Sequence, residues 1–153
     1  MTRWLILFLL YSLTAGGQVR DEIVKVNVSK VIVKAGRQSV INISVEVKDG
    51  YHIQANEVND EYIIPTTIEI DGGSEFIIKS LNFPSVKKFK LEGTDVDLDV
   101  YDGLFEILAF FNSQKTLPKD LYQLNGALTY QACDSIRCLF PKTIKFLIEI
   151  EVQ

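Results

Sequence analysis

Residues 41–47 read Ile41-Asn42-Ile43-Ser44-Val45-Glu46-Val47, and residues 144–152 read Ile144-Lys145-Phe146-Leu147-Ile148-Glu149-Ile150-Glu151-Val152. In both, apolar and polar residues alternate almost without a break. A period of two sends successive side chains to opposite faces of a strand. Each segment therefore offers one apolar face to a core and one polar face to water, as strands of a half-buried antiparallel sheet do. Shorter versions recur at Val24, Val26 and Val28, at Ile68 and Ile70, and at Val96, Leu98 and Val100. Residues 105–111 and 127–130 are more continuously apolar, which predicts central strands covered on both sides.

Between these runs stand residues that tolerate positive φ: Lys48-Asp49-Gly50, Asp71-Gly72-Gly73, Asp102-Gly103 and Asn125-Gly126 are read as turns. Pro65, Pro84, Pro118 and Pro141 fall at strand edges or in loops, where a missing N–H is harmless. No stretch of the mature chain holds a 3.6-residue period for long; residues 117–124 alone offer a short helical turn. Several short strands separated by turns predict an all-β protein, an antiparallel β-sandwich, in one domain without repeats or linkers.

Residues 1–17 have the zones of a secretory signal peptide: Arg3, then an apolar run over residues 4–13, then Thr14-Ala15-Gly16-Gly17. Ten apolar residues are too few to span a bilayer, which takes about 20. The expectation is cleavage before Gln18, with Ala15 and Gly17 at the positions a signal peptidase reads. The mature domain would be residues 18–153, in the periplasm, with a formal charge of −5 once Arg3 is removed from the total of −4. That mildly acidic balance argues against nucleic acid and against anionic membranes as partners. It leaves the oligomeric state open.

The chain has two cysteines, Cys133 and Cys138, and one histidine, His52. In an oxidising compartment the cysteines are expected as a disulfide, and one histidine with two cysteines falls short of a structural zinc set. No metal and no small-molecule cofactor is expected. Asp95, Asp97 and Asp99 alternate like a solvated strand face and lack the spacing of a calcium loop. No hydrolytic triad can be assembled. The sequons at Asn27 and Asn42 both fall within strand readings.

The cysteines flank Asp134-Ser135-Ile136-Arg137 in one loop between neighbouring strands. The ring they close has six residues, and the chain-entropy model values it at only about 2 kcal/mol, against roughly 4–5 kcal/mol for a loop of about 100 residues. A short loop with two nearby thiols also suits thiol–disulfide exchange, which needs an accessible sulfur and a second thiol to resolve the mixed disulfide. Arg137 would favour a thiolate at Cys138, and Asp134 would oppose one at Cys133. On spacing alone, a local structural disulfide is the usual outcome in exported domains.

Three segments add a family likeness. They are Lys48-Asp49-Gly50-Tyr51-His52-Ile53-Gln54-Ala55-Asn56 with Ile63-Ile64-Pro65-Thr66; Val100-Tyr101-Asp102-Gly103; and Leu128-Thr129-Tyr130-Gln131-Ala132-Cys133 with Cys138-Leu139-Phe140-Pro141. In this order the chain resembles the N-terminal periplasmic domain of the bacterial disulfide reductase DsbD, from about Val24 to Val152. The resemblance implies an immunoglobulin-like sandwich with Cys133 and Cys138 as the active pair. It also implies partners that are thioredoxin-like proteins or a membrane-embedded electron carrier, the expectation being a free-standing version of the domain. The expected function is thus periplasmic disulfide-reductase-type electron transfer. The alternative is a non-catalytic protein-binding sandwich with a structural disulfide. Three departures are visible. Four residues separate the cysteines where familiar members have five, and His52 stands where a tyrosine is familiar. The family's cap loop, which shields the cysteines with an aromatic ring, has no clear match; Lys87-Lys88-Phe89-Lys90-Leu91 falls in about the right region, with Phe89 as the candidate ring. His52 itself is either a thiolate-tuning neighbour or an ordinary strand residue.

Overall fold

The computed structural model describes residues 22–58, 60–95 and 97–153. The signal-peptide reading of residues 1–17, the cleavage point at Gln18 and the place of Val96 in its strand lie outside the described residues.

The first sheet consists of β1 (Val24–Val28), β3 (Gln38–Val47), β9 (Leu104–Ser113) and β6 (Phe76–Asn82), in that spatial order. The second consists of β2 (Val31–Val33), β12 (Lys142–Val152), β10 (Leu121–Tyr130) and β5 (Thr67–Asp71). Their inner faces meet in one core. Ile41, Ile43 and Val45 of β3 and Ile107, Ala109 and Phe111 of β9 come from one side; Leu124 and Leu128 of β10 and Ile148, Ile150 and Val152 of β12 come from the other. Each large aliphatic side chain withdrawn from water in this way contributes about 1.5–3 kcal/mol. The alternation seen in residues 41–47 and 144–152 is the alternation between this core and solvent. The fold is an all-β, immunoglobulin-like sandwich.

β9 lies between β3 and β6, and β10 between β12 and β5. This central position explains their continuous apolar character. The outward residues Leu108 and Phe110 of β9 are half-buried, not fully exposed. One pairing among the described residues is parallel, that of β2 with β12. Ser29 and Lys30 separate β2 from β1, so the chain pairs with β3 in one sheet and then steps across to β12 in the other.

Two local readings are corrected. Residues 117–124 form no helical turn: β10 begins at Leu121 and pairs with β12 along its whole length, and the Tyr122 hydroxyl donates to the Pro118 carbonyl. Asn125-Gly126 is no turn either, for it lies in the middle of β10. Gly126 is there because the Phe146 ring of β12 lies over it; a Cβ would come within 2.3 Å of that ring. Gly50, Gly73 and Gly103 do adopt positive φ, at 80°, 58° and 63°, as the other three turns require.

A third, smaller sheet carries the cysteines. Its order is β11 (Ala132–Cys133), β4 (His52–Gln54), β8 (Asp97–Tyr101) and β7 (Lys87–Lys90). It continues from the second sheet, because β10 runs through Gln131 directly into β11, and the Gln54 N–H donates to the Gln131 carbonyl at 3.0 Å.

Candidate functional site

Cys133 and Cys138 form a disulfide with Cα atoms 3.9 Å apart. They face each other across a tight hairpin as a β-bridge. Leu139 N–H donates to the Ala132 carbonyl at 2.7 Å and Asp134 N–H to the Arg137 carbonyl at 2.9 Å. These bonds flank the cysteine pair and place it at a non-hydrogen-bonded position, where opposed side chains come closest. The hairpin end is built by Asp134, whose Oδ1 accepts the N–H groups of Ile136 and Arg137, each at 2.8 Å. Aspartate at the first position of a turn makes this Asx arrangement readily. The two N–H groups, that of Ile136 first, hold the Asp134 carboxyl below the ordinary aspartate range.

Asp134 shapes the turn, and the Arg137 guanidinium faces the Asp134 carboxylate at 3.9 Å. The two side chains answer each other across the turn.

The two sulfurs occupy different surroundings. Cys133 is 0% exposed, whereas Cys138 is half-buried. Cys138 lines an open groove of about 510 Å³ together with Gln131, Arg137, Leu139, Phe140 and Lys142. Phe140 is 93% exposed and Ile136 69%. Cys133 is covered from within by β4: His52 is its cross-strand neighbour, and Gln54 Nε2 lies 3.0 Å from Cys133 Sγ and 3.6 Å from Cys138 Sγ.

His52 is half-buried. Its ring packs against Phe89 of β7 with centroids 3.9 Å apart and the planes tilted by 34°, and its Nδ1 lies 3.5 Å from Asp102 Oδ2 without forming a hydrogen bond. Asp102 also takes the Lys87 ammonium. Phe89 thus reaches the site through His52. The hairpin joining β7 and β8 touches the cysteine loop itself: Glu92 N–H donates to the Ser135 carbonyl at 2.8 Å. Gln54, Glu92 and Ser135 were not singled out in the sequence. Gln54 shares a strand face with His52, and that was the available signal. Its register against a cysteine 79 residues away was not readable.

The aspartates Asp95 and Asp99 are paired with Lys90 and Lys88, at 3.1 and 2.7 Å. Among the described residues no cluster of three or more histidine, cysteine or acidic side chains is arranged to hold a metal ion, and no helix is long and apolar enough to cross a membrane.

An immunoglobulin-like sandwich with a disulfide hairpin docked on a small side sheet defines a class of protein. Residues 20–150 match the family described as thiol:disulfide interchange protein DsbD, N-terminal, and the chain belongs to that family. Among solved structures it is similar to the DsbD N-terminal domain of Neisseria meningitidis in the reduced form, with 19% identity, 76% of this chain and 82% of that chain covered, and a TM-score of 0.47. It is also similar to the N-terminal periplasmic domain of ScsB from Proteus mirabilis, with 16% identity, 84% of this chain covered and a TM-score of 0.54. The match spans 45% of that ScsB chain. A third likeness is to the seventh ScaB type I cohesin of Pseudobacteroides cellulosolvens, with 12% identity, 85% and 92% coverage and a TM-score of 0.51. At these identities the likeness is one of fold. No curated protein sequence matches the chain.

Proposed function

We propose that the chain is a periplasmic thiol–disulfide exchange domain acting through Cys133 and Cys138, with residues 1–17 removed on export and residues 18–153 as the working domain. The observation that carries the reading is the asymmetry of the pair within a family-matched segment. One sulfur opens on a groove lined by Leu139 and Phe140 together with Gln131, Arg137 and Lys142; the other is sealed beneath it.

Cys138 is the attacked sulfur. A partner thiolate attacks Cys138 Sγ, the Cys133–Cys138 bond breaks, and Cys133 leaves with the electron pair as a thiolate. A second partner thiolate then attacks the partner's own sulfur in the mixed disulfide and Cys138 leaves. The partner ends as a disulfide, this pair gains two electrons, and two protons complete the dithiol. Run in reverse, the same steps reduce an acceptor. The exposed Phe140 and Ile136 offer apolar contact to a docking protein. Resemblance to the family points to thioredoxin-like proteins or a membrane-embedded electron carrier as partners.

The test has two parts. The reduction potential should lie above about −270 mV, in the range of exchange-active pairs. Cys133→Ala should trap a mixed disulfide through Cys138 with a thioredoxin-like protein in an oxidising periplasm, and Cys138→Ala should not. A potential below about −300 mV, with no adduct from either variant, would make the chain a non-catalytic binding module.

A further inference from the structure

We propose that Gln54 is the hydrogen-bond donor that receives the Cys133 thiolate when the disulfide opens, making Cys133 the better leaving and resolving sulfur. The proposal rests on the exchange reading above and assigns a role inside it.

The side chain is built into place. Gln54 is 1% exposed. Its backbone N–H is fixed to the Gln131 carbonyl, its carbonyl accepts the hydroxyl of buried Thr66, and the next N–H, that of Ala55, donates to the Asp99 carbonyl at 2.8 Å. Both neighbours in the chain, Ile53 and Ala55, are fully buried. These bonds fix the β4 backbone, and from it the side-chain amide reaches both sulfurs, at 3.0 Å and 3.6 Å. Its nitrogen faces them because a disulfide offers acceptors only.

A disulfide sulfur is a weak acceptor, and a thiolate is a strong one. A hydrogen bond at 3.0 Å to Cys133 Sγ therefore strengthens as the S–S bond breaks and charge collects on that sulfur. Cys133 needs the help, for burial in an apolar setting otherwise disfavours a thiolate. Of the nearby charges, Arg137 lies 3.9 Å from Asp134, Lys88 pairs with Asp99 and Lys87 with Asp102, which also faces His52, while Lys142 lines the groove on the Cys138 side. Gln54 Oε1, meanwhile, is buried without a partner. An unfilled acceptor costs stability, and an apolar side chain of the same shape would avoid it.

The decisive experiment titrates Cys133 alone, in a Cys138→Ser chain, by its thiolate absorbance. Gln54→Met, which keeps the shape and removes the donor, should raise the midpoint by about one to two pH units, as loss of a hydrogen bond to a charged group does. In the two-cysteine chain the same change should slow reduction by dithiothreitol several-fold, since a more basic thiolate leaves more slowly. If Gln54→Met does not fold, the side-chain amide resonances of Gln54 in the Cys138→Ser chain provide the test. They should shift with the Cys133 titration. An unchanged Cys133 midpoint in folded Gln54→Met, or amide resonances blind to that titration, overturns the assignment while leaving the exchange reading intact. A Gln54-dependent midpoint in a protein that traps no partner supports the assignment and overturns the exchange reading instead.

Discussion

Replacing both cysteines by serine measures how much the fold depends on the bridge. The ring spans residues 133–138, and the loop-entropy cost it removes from the unfolded chain is about 2 kcal/mol. The native hairpin does not depend on the bridge alone. The Leu139–Ala132 and Asp134–Arg137 backbone bonds, the two N–H bonds to Asp134 and the Glu92–Ser135 contact all survive the substitution. The new cost is a hydroxyl at position 133, where the side chain is fully buried, and Gln54 Nε2 stands ready to donate to it. The expected loss is therefore no more than about 2–3 kcal/mol, with the core between the two main sheets untouched. Urea unfolding followed by far-ultraviolet circular dichroism reads it directly, and an unchanged denaturant slope would show that the same surface is being exposed. A chain unfolded at room temperature, or a loss beyond about 4 kcal/mol, would refute the reasoning and make the bridge a structural staple.

Two further predictions follow from single contacts. Glu92→Pro should keep the Leu91–Thr94 turn, since Gly93 at φ 77° follows it and proline suits the preceding position, while deleting the N–H that holds Ser135. Loss of one neutral hydrogen bond, about 1 kcal/mol, should raise the reactivity of Cys138 toward a small thiol by up to about fivefold; an unchanged rate would show that this hairpin does not guard the site. Gly126→Ala should destabilise the domain by about 1–3 kcal/mol, because its Cβ collides with the Phe146 ring. Phe146→Leu in the same chain should recover part of that loss in a urea titration, and failure to recover any would put the cause elsewhere.

The strands were legible wherever one face meets the core and the other meets water, as at Ile41–Val47 and Ile144–Val152. Asn125-Gly126 misled because its chemistry is that of a local turn, while the reason for the glycine is a ring 20 residues further along. The cysteine loop was legible as a loop between adjacent strands, since β10 and β12 pair directly. The part Asp134 plays in closing the hairpin was not, because its bonds to the Ile136 and Arg137 N–H groups depend on the turn geometry. Gln54 escaped notice for a related reason. A lone glutamine in a short strand carries no motif, and only the pairing of β4 with β11 brings it to the sulfurs.

The hairpin bonds on either side of the cysteine pair do not involve sulfur, so the backbone keeps the two residues opposed whether or not they are joined. The second thiol therefore acts on any mixed disulfide at a very high effective concentration. An intermediate with a bound partner should be short-lived in the wild-type chain, with its lifetime governed by how readily Cys133 ionises. Turnover would then be paced by encounter with the next protein, and a captured complex should accumulate only when the resolving thiol is taken away.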